Sequence, residues 1–551
     1  MKKSLILTTC MFLYPFLLNG QIVPQSSADS ILGHAIQRDA EGNLLAWYRP
    51  NTPGAGYVKV VQLASEFIKN APIYEPLQLP MYFITCCFHE NEHGKFIAED
   101  WMHNPACVWA GLVQGLVLNY RVYSGDNKYI EIVRNMLDYH LKHGTTPADW
   151  HWSNVPFASA DPFVTEYKGA SRWEHEGMRG DGLHGIEPDK IGELGIAYLR
   201  FYQVTLEKRF LTAAIHCAEA LAKHVRDVRP GPAPFSPADT KKSPWPFRVN
   251  ARTNVVISEY CSNVIEPIRL FDELLRIQNI IGLATEQIEA FQKARNLAWE
   301  WLYSINGPMK TFIWNAYFED IPNDPDRTNR VQITPLETAR YLIKNPHFDP
   351  NIDQNVAVLI QWVAAVFTTD GMDAIKEQTW CYESMGSHTA RYASLCALWY
   401  ERTGDRWYKE QAERFFNLAT YMCHENGYVS VGPNWFGAWW SDGYGDYIRH
   451  FMEGIAAVPE WAPQDENHLL KSTSVIQSIT YGKSEIHYQT YDSSSTETFR
   501  LAKKPKSVWV NQELIQQNKL LNHNSWIWEN LDHGGVLHIK HFSGNNIKIK
   551  I

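Results

Sequence analysis

The apolar positions of this chain recur with helical spacing in three similar stretches. These are GLVQGLVLNYRVYSGDNKY at 111–129, IGELGIAYLRFYQVTLEKRF at 191–210 and TARYASLCALWYERTGDRWY at 389–408. In each stretch an apolar helix runs into a short turn, and an aromatic residue shortly after the turn opens a second helix. This recurrence predicts an array of helical hairpins. An array that closes into a ring forms a barrel, and the loops before its inner helices line a cleft at one end.

Six hairpins are predicted between about residue 57 and residue 460, where helical periodicity dominates. Their paired segments are 57–70 with 106–123, 129–143 with 189–204, 210–226 with 258–277, 285–304 with 335–344, 354–367 with 387–402, and 408–424 with 446–457. Two helix starts carry proline at the first helical position, in Glu187-Pro188 and in Thr334-Pro335. The sequence therefore predicts a mainly α fold, an (α/α)6 barrel over residues 21–465.

The periodicity changes after residue 465. Segments 484–491, 506–510, 535–541 and 547–551 alternate apolar and polar residues, as half-buried strands do. Residues 466–551 are therefore predicted to form a small C-terminal β-sandwich that packs against the side of the barrel. Reactive side chains do not cluster in this region, so its predicted role is packing.

The first twenty residues have the three parts of a secretory signal peptide. Lys2 and Lys3 precede an apolar run from Ser4 to Leu18, and Leu18-Asn19-Gly20 offers a cleavage site. A short buried helix is the alternative. Cleavage would leave Gln21 at the N-terminus of a periplasmic or secreted protein. No membrane association is expected after cleavage, because no later run approaches the roughly 20 apolar residues of a membrane span.

The charge of the chain weighs against nucleic acid as a partner. Its 51 basic and 60 acidic residues give a net charge of −9, and removal of Lys2 and Lys3 would make it −11. An acidic substrate is not excluded, because a local Arg/Lys cluster can reverse the field in a cleft. The 21 Trp and 27 Tyr are many for packing alone. Several occur in polar loops, where flat amphipathic rings suit sugar rings.

The loop 149–193 carries the densest set of polar and aromatic side chains. A connection of this length inside a compact domain is usually functional. It supplies two candidate catalytic acids, Asp181 and Glu187. Its candidate substrate-binding residues are His151, Trp152, Arg172, Trp173, Arg179 and His184. The two arginines are predicted to clamp a carboxylate or a hydroxyl. The alternative is a folded surface loop whose charges pair among themselves.

A second loop, 377–391, leads into the inner helix that begins near residue 387. It contains Glu383 as a candidate catalytic acid, with Tyr382, His388 and Arg391 as candidate binding residues. Burial among aromatic side chains can tune such a carboxylic acid into a general acid. In the alternative interpretation, Glu383 caps the helix and pairs with Arg391.

The third loop is 434–447, NWFGAWWSDGYGDY, in which tryptophans surround Asp442. An acid beside aromatic rings suits glycoside recognition, so Asp442 is a candidate catalytic acid and Trp440 a candidate sugar platform. In the alternative interpretation, the tryptophans fill the barrel floor. Five loops precede inner helices and are predicted to converge at one end of the barrel: 88–104, 149–187, 252–263, 377–388 and 434–446.

Neither a metal nor a cofactor is predicted. The run HENEH at 89–93 is suggestive, but it lacks a fixed ligand motif such as HExxH and does not have a helical pattern. The chain also lacks a GxSxG elbow, a phosphate-binding Gly-Lys loop and a dinucleotide fingerprint. These exclusions favour acid/base chemistry by carboxylates.

Residues 57–551 resemble the carbohydrate-active enzymes built on a six-hairpin α/α barrel with a C-terminal β-sandwich. The most specific pieces are GDGLHGIEPDKIGELGIAYLRFY and CYESMGSHTARYASLCALWYERTGD. The overall resemblance is to glycoside hydrolase family 154, which implies exo-β-glucuronidase activity. Tyr382-Glu383-Ser384-Met385 is also similar to the Glu-Thr-Cys signature of family 127 β-L-arabinofuranosidases. Met385 stands where that family has its zinc-bound Cys nucleophile, a departure that leaves Glu383 usable as an acid.

The resemblance and the loops together predict an exported, exo-acting glycoside hydrolase that removes terminal uronic acid, first of all β-glucuronic acid, from complex glycans. Its partner would be an oligosaccharide or polysaccharide, and a homodimer is the oligomer considered. The alternatives are a polysaccharide lyase, an arabinofuranosidase-like hydrolase and a glycan-binding protein without catalysis. The product separates them, because a lyase leaves an unsaturated uronate that absorbs ultraviolet light.

Overall fold

The computed structural model describes residues 29–173, 181–228, 242–261, 263–305, 307–316, 329–435, 437–518 and 520–551. Within them, twelve long helices follow one another along the chain. They are α1 (Ala55–Lys69), α2 (Pro105–Leu112, continued by the π-helical Val113–Tyr120 and by Arg121–Ser124), α3 (Lys128–His143), α4 (Pro188–Thr205), α5 (Lys208–His224), α6 (Ile265–Arg276), α7 (Thr285–Tyr303), α8 (Ile333–Lys344), α9 (Ile352–Phe367), α10 (Gly386–Thr403), α11 (Arg406–Thr420) and α12 (Tyr447–Ala457, preceded by the π-helical Ser441–Asp446).

The odd-numbered helices form an outer layer and the even-numbered helices an inner layer. Outer helices such as α11 bury one face, as amphipathic helices do. Inner helices are buried nearly all round; in α10 every residue from Gly386 to Trp399 is buried. The inner helices contact one another in chain order and α12 contacts α2, so the ring closes. The predicted (α/α)6 barrel is confirmed.

Shorter elements connect these helices. The inner helix α6 begins at Ile265, later than the predicted 258, because Val256–Cys261 is a strand. Short helices and 3-10 turns lie at Met81–Phe83, Ser171–Trp173, Gln278–Ile281, Pro308–Thr311, Pro346–Phe348 and Pro459–Trp461. Two-stranded pairs join Ser30–Ile31 with His34–Ala35, Gln37–Arg38 with Leu44–Leu45, Ile73–Tyr74 with Leu79–Pro80, and Ile375–Lys376 with Ser384–Met385.

The described residues after 467 form one sheet of nine strands. They are β1 (His468–Ser472), β2 (Ile476–Tyr481), β3 (Glu485–Thr490), β4 (Ser495–Leu501), β5 (Ser507–Val510), β6 (Glu513–Gln517), β7 (Ser525–Asn530), β8 (Gly535–His541) and β9 (Asn546–Lys550). The strand order is β1-β4-β8-β7-β6-β5-β9-β3-β2, antiparallel except between β6 and β7. Alternate residues of all nine strands meet in one separate core. The predicted helical barrel with a C-terminal β domain is confirmed, and the β domain is a continuous sheet that wraps around its core.

The β domain covers the C-terminal ends of the inner helices. At the end of α2 the buried Arg121 guanidinium donates to the carbonyls of Ile476 (2.5 Å) and Gln477 (3.3 Å). The Gln477 side chain donates to the Gln203 carbonyl near the end of α4 (3.0 Å), and Arg276, the last residue of α6, pairs with Asp492 (2.7 Å). The predicted position against the side of the barrel is therefore wrong. A buried guanidinium needs acceptors, and the backbone of β2 supplies them.

Candidate active site

The loops before the inner helices are joined to one another by backbone pairing. Two three-stranded sheets are formed, one by Cys87–Glu90, Phe96–Ala98 and Ala438–Trp439 and the other by Gly185–Ile186, Pro246–Asn250 and Val256–Cys261. The His103 N–H donates to the Ala160 carbonyl (2.9 Å), which joins the first two predicted loops. The Gly386 N–H donates to the Val431 carbonyl (2.7 Å), and the Val431 N–H donates to the Gly437 carbonyl (2.8 Å), which joins the last two. The predicted convergence of the five loops is confirmed.

The π-helical turn Ser441–Asp446 carries two aspartates into this end of the barrel. Gly445 in the turn lies against Gly111 of α2, and a Cβ on Gly445 would come within 2.7 Å of the Gly111 carbonyl carbon. Glycine at this point permits the close backbone approach that sets the positions of Asp442 and Asp446. Irregular π-helical turns of this kind are frequent at functional sites.

We expect Gly445→Ala to lower the free energy of unfolding by about 1–3 kcal/mol, because the added methyl group must displace backbone atoms of α2. Urea denaturation measures the change. Gly443→Ala, in the same turn, is the matched control, since its Cβ would meet nothing closer than the Val429 carbonyl oxygen at 3.3 Å. Equal unfolding free energies for Gly445→Ala and the wild type would contradict the close contact.

The surroundings of Asp442 and Asp446 shift the pKa values of the two carboxyl groups in opposite directions. Burial raises the pKa of Asp442 to about 7, and the negative charge of Asp446 adds to the effect. Burial also disfavours ionised Asp446, but Arg391, which donates a hydrogen bond to it, acts together with His450 and Arg449 to outweigh this and lower the pKa of Asp446. Two carboxyl groups separated in this way can supply one proton donor and one carboxylate near neutral pH.

Asp442 faces the middle of the helical ring. Its charge acts on Lys190 and Glu193 in the first turns of α4 and on Arg391 of α10. It also acts on Cys107 of α2. Because these groups come from three other inner helices, only a side chain directed toward the barrel axis can be near all of them.

The first turns of α4 add further acids and a cation to the site. Pro188 occupies the first helical position, as predicted, and Lys190 Nζ lies 3.0 Å from Glu193 Oε2. Burial raises the pKa of Asp189 to about 7 and also raises the pKa of Glu193. This end of the barrel therefore holds several carboxyl groups that stay protonated above the usual carboxylate range, together with a lysine.

Asp181 and Glu187, both predicted as acids, are buried next to one another. Glu187 Oε1 lies 2.7 Å from Arg248 Nε on the neighbouring strand. Asp181 accepts hydrogen bonds from the Ser159 hydroxyl and from the Ala170 N–H. Burial raises the pKa of Asp181 to about 6, and the charge of Glu187 contributes. The structure thus brings together two of the four predicted acids, Asp181 and Glu187, immediately before α4, whereas Asp442 interacts with Lys190 and Glu193 in the first turns of that helix.

His388 and Arg391, predicted to bind substrate, form the inner wall of the site. The Arg391 side chain lies 3.2 Å from His388 Nδ1, 3.2 Å from His450 Nε2 and 3.4 Å from Glu337 Oε1. Burial lowers the pKa of His388 well below its usual value, so its ring is neutral. Arg391 is engaged with protein groups on several sides, which suits an electrostatic role behind Asp442 and Asp446.

Glu383 lies on the surface, contrary to the burial expected of it. Its side chain is exposed, and Tyr382 beside it is 72% exposed. The strand Ser384–Met385 follows at once, and the wall of the barrel begins only with α10. The alternative pairing with Arg391 is also wrong, because Arg391 contacts Asp446 instead. Aromatic side chains do not enclose Glu383.

Trp152 and Trp440 are enclosed by protein, so the sugar stacking expected of them is wrong. They are 1% and 0% exposed. Trp152 stacks on His224 with 4.1 Å between ring centroids, and Trp440 stacks on Phe88 at 4.2 Å. A ring enclosed in this way offers no face to a ligand. Trp440 fits the alternative in which tryptophans fill the barrel floor.

The remaining predicted binding residues lie nearer the surface. Arg172 has a side chain 48% exposed and pairs with Asp100 at 2.7 Å. His151 is exposed, and the ring of His184 packs edge-on against Trp150 at 4.6 Å between centroids. Arg179 and the side chain of Trp173 lie outside the described residues.

An aromatic wall beside Asp442 contains one residue that the sequence did not single out. Trp101 stacks on Trp439 with 6.5 Å between ring centroids, and Trp435 meets Trp439 edge-on at 5.7 Å. All three rings are partly exposed. Trp435 and Trp439 could be found from the sequence, because they are close to Asp442 along the chain. Trp101 could not, because it comes from a distant loop.

Among the described residues, no three or more His, Cys, Asp and Glu side chains are grouped as a metal would need. In the run 89–93, His89 Nδ1 lies 3.3 Å from Glu99, and His93 lies 3.5 Å from Glu92. No helix in the described part of the chain combines the length and the apolar character required to cross a membrane.

The architecture places the chain in the class of (α/α)6 barrels with an appended β domain. No family model and no curated protein matches the chain, so the resemblance to glycoside hydrolase family 154 stays a prediction. Solved structures of similar fold include a cellobiose 2-epimerase from Spirochaeta thermophila, with 11% identity and a TM-score of 0.49 over 74% of this chain and 99% of that one.

Two further solved structures share this level of similarity. An unsaturated glucuronyl hydrolase specific for heparin has 10% identity and a TM-score of 0.41 over 73% of this chain and 97% of that one. A polysaccharide lyase has 11% identity and a TM-score of 0.42 over 74% and 98%. Such weak similarity does not indicate the activity of this chain, which has to be inferred from its own side chains.

Proposed function

We propose that this chain is a glycan-processing enzyme, and specifically an exo-acting glycoside hydrolase that removes a terminal uronic acid, with β-glucuronic acid as the first candidate. The observation that carries the proposal is the pair Asp442 and Asp446. One carboxyl group is protonated near neutral pH and the other is ionised. Cleavage of a glycosidic bond uses two carboxyl groups in these two states.

In the proposed reaction, Asp442 donates its proton to the oxygen of the bond that breaks. Asp446 carries the negative charge that stabilises the oxocarbenium-like transition state or activates water. Arg391 keeps Asp446 ionised through its hydrogen bond. The buried pair of Asp181 and Glu187 is the other source of a second carboxylate.

The sugar would be held by cations and by aromatic rings. Lys190, at the start of α4, acts electrostatically on Asp442 and is the cation proposed to hold the uronate carboxylate. Arg172, exposed on the rim, retains its proposed role as a second clamp, since a guanidinium matches a carboxylate with two bonds. The aromatic wall that ends in Trp439 supplies partly exposed rings for the apolar face of the sugar.

The test uses an aryl β-glucuronide and a glucuronic-acid-capped oligosaccharide as substrates. Release of saturated glucuronic acid from both supports the proposal. A polymer with internal uronic acids is assayed in parallel, and an unsaturated uronate formed from it, detected by its ultraviolet absorption, would show a lyase instead. Binding without any product would show a glycan-binding protein. Release of a neutral terminal sugar alone would retain a hydrolase but exclude the uronic acid.

The pH dependence of the reaction follows from the protonation of Asp442. We expect kcat/KM to fall about tenfold per unit as the pH rises above about 7, because the proton donor is then lost. Asp189 has a similarly raised pKa, so Asp189→Asn is the control and should keep the same falling limb. A rate that stays constant up to about pH 9 would exclude Asp442 as the general acid.

We also propose export to the periplasm or the outside of the cell, from the order of basic, apolar and cleavage-site residues in 1–20. These residues lie outside the described part of the chain. We expect the mature protein to begin at Gln21, as N-terminal sequencing of the protein expressed with its natural start would establish. A mature chain that keeps Met1 would contradict this prediction.

A further inference from the structure

The β domain has a groove on its outer face, away from its core. The groove encloses about 530 Å³ and is lined by side chains of β2, β3, β5 and β9 and of the turn after β5. These four strands are neighbours in the sheet, in the order β5-β9-β3-β2. At about 4.8 Å between strands the groove spans about 14 Å, enough for a short oligosaccharide.

The strand register sets polar side chains in rows across this groove. Thr480 lies opposite His487, His487 opposite Lys548, and Lys548 opposite Trp509. A second row is formed by Ser478, Gln489 and Asn546. Side chains directly opposite one another on one face of a sheet are within contact distance. The groove therefore presents a hydroxyl, an amide, an imidazole, an ammonium group and an indole close together.

Trp509 points outward although large rings usually contribute to a core. Its neighbours Val508 and Val510 point into the core of the β domain. The indole N–H donates to the Ser507 hydroxyl (3.1 Å), which holds the ring on the face of the sheet. Lys548 Nζ lies 5.2 Å from the centroid of the Trp509 ring. An aromatic ring and a cation are thus paired on a surface that does not need them for packing.

The rim of the groove is formed by the tight turn between β5 and β6. Asn511 and Gln512, in the turn between β5 and β6, have φ values of +45° and +73°, the left-handed region that favours glycine. Asn511 Oδ1 accepts hydrogen bonds from the N–H groups of Asn545 (3.3 Å) and Asn546 (3.1 Å). A two-residue hairpin turn such as this one, with Val510 paired to Glu513, requires positive φ at both central residues, and the Asn511 side chain fixes the turn to the start of β9.

We propose that this groove binds an oligosaccharide stretch of an acidic glycan. The Trp509 ring covers the apolar face of one sugar, the amides and hydroxyls bond its neighbours, and Lys548 pairs with a uronate carboxylate. The many polar groups make the groove unlike the apolar centre of a stable dimer contact. This binding site goes beyond the proposed cleavage, because it lies on a different domain and requires no reaction.

Affinity electrophoresis of the full chain tests the proposal, with polygalacturonate, alginate or gum arabic cast in the gel. We expect at least one of them to retard the wild type and its carboxyl-reduced form to retard it less. Trp509→Ala and Lys548→Ala should each weaken retardation about tenfold. Trp528→Ala and Lys540→Ala are the controls, because Trp528 is a partly exposed tryptophan and Lys540 a lysine over the Phe542 ring, and both lie outside the groove. These two variants should leave retardation unchanged.

Three results would overturn the groove as a glycan site. The first is that none of the three polymers retards the wild type. The second is that the wild type and both groove variants are retarded equally. The third is that Trp509→Ala changes the oligomeric state of the protein without a change of retardation. Aryl β-glucuronide hydrolysis is assayed on the same proteins and should be equal in all of them. Retardation of a wild type that hydrolyses nothing would refute the proposed reaction and leave the groove supported.

Discussion

Asp442→Asn is expected to reduce kcat/KM for a glucuronic-acid-capped oligosaccharide by about two to four orders of magnitude. An amide of nearly the same shape cannot donate the proton that the leaving oxygen needs. The loss should be smaller on a nitrophenyl β-glucuronide, because that leaving group departs without protonation. This difference between substrates identifies a proton donor, whereas a merely structural role would lower both rates alike.

Glu383→Gln is the control for this experiment, because Glu383 is exposed and the aromatic enclosure expected of it is absent. We expect it to keep most of the wild-type rate on both substrates. The opposite result would be a large loss of activity in Glu383→Gln and none in Asp442→Asn. In that case the roles proposed for the two residues have to be exchanged.

Glu337→Ala is expected to lower the free energy of unfolding by about 3–5 kcal/mol, the cost of leaving buried charges without their partner. Glu337 lies 3.3 Å from Arg340, 3.4 Å from Arg391 and 3.0 Å from Arg449. All four side chains are at most 7% exposed. Removal of the one glutamate therefore leaves three guanidinium groups between α8, α10 and α12 with only Asp446 and Glu453, among the described residues, as ion-pair partners to balance their charge.

Urea denaturation at neutral pH measures this loss, and Glu410→Ala on the exposed face of α11 is the control. The arginine charges outweigh burial and lower the pKa of Glu337 well below its usual value. A depressed folded-state pKa stabilises the fold above the unfolded-state pKa, and this contribution is lost as the pH falls through the folded-state value. The difference between wild type and variant should therefore shrink in strong acid. A loss no larger than that of Glu410→Ala would contradict the network.

The helical barrel was predictable because the sequence patterns that indicate each helical hairpin are local. Apolar spacing and turn residues recur within each hairpin, so 191–210 alone indicates the end of α4 and the start of α5. The start of α6 was misplaced because Val256–Cys261 is apolar and borders a helix, and short apolar runs fit a strand or a helix equally well. The position of the β domain depends on the carbonyl partners of Arg121, which no pattern reveals.

The site was predictable only in part, because it depends on contacts between distant segments. Asp442 and Asp446 were visible as acids, but their difference arises from Arg391, 55 residues away from Asp446 along the chain. Glu383 has the expected sequence neighbours and yet lies outside the barrel wall. Tryptophan in a polar loop does not distinguish an enclosed ring such as Trp440 from an open one such as Trp439.

The β domain covers the C-terminal ends of α2, α4 and α6, and this limits the route by which a substrate or a product can move. Together with the charged side chains packed between α8, α10 and α12, it closes the end of the barrel opposite the loops. In the proposed reaction, a glycan therefore approaches Asp442 from the loop end and does not thread through the barrel. The sugar released in the proposed reaction would leave by the same end, and free monosaccharide should accordingly slow turnover by competing with the next substrate.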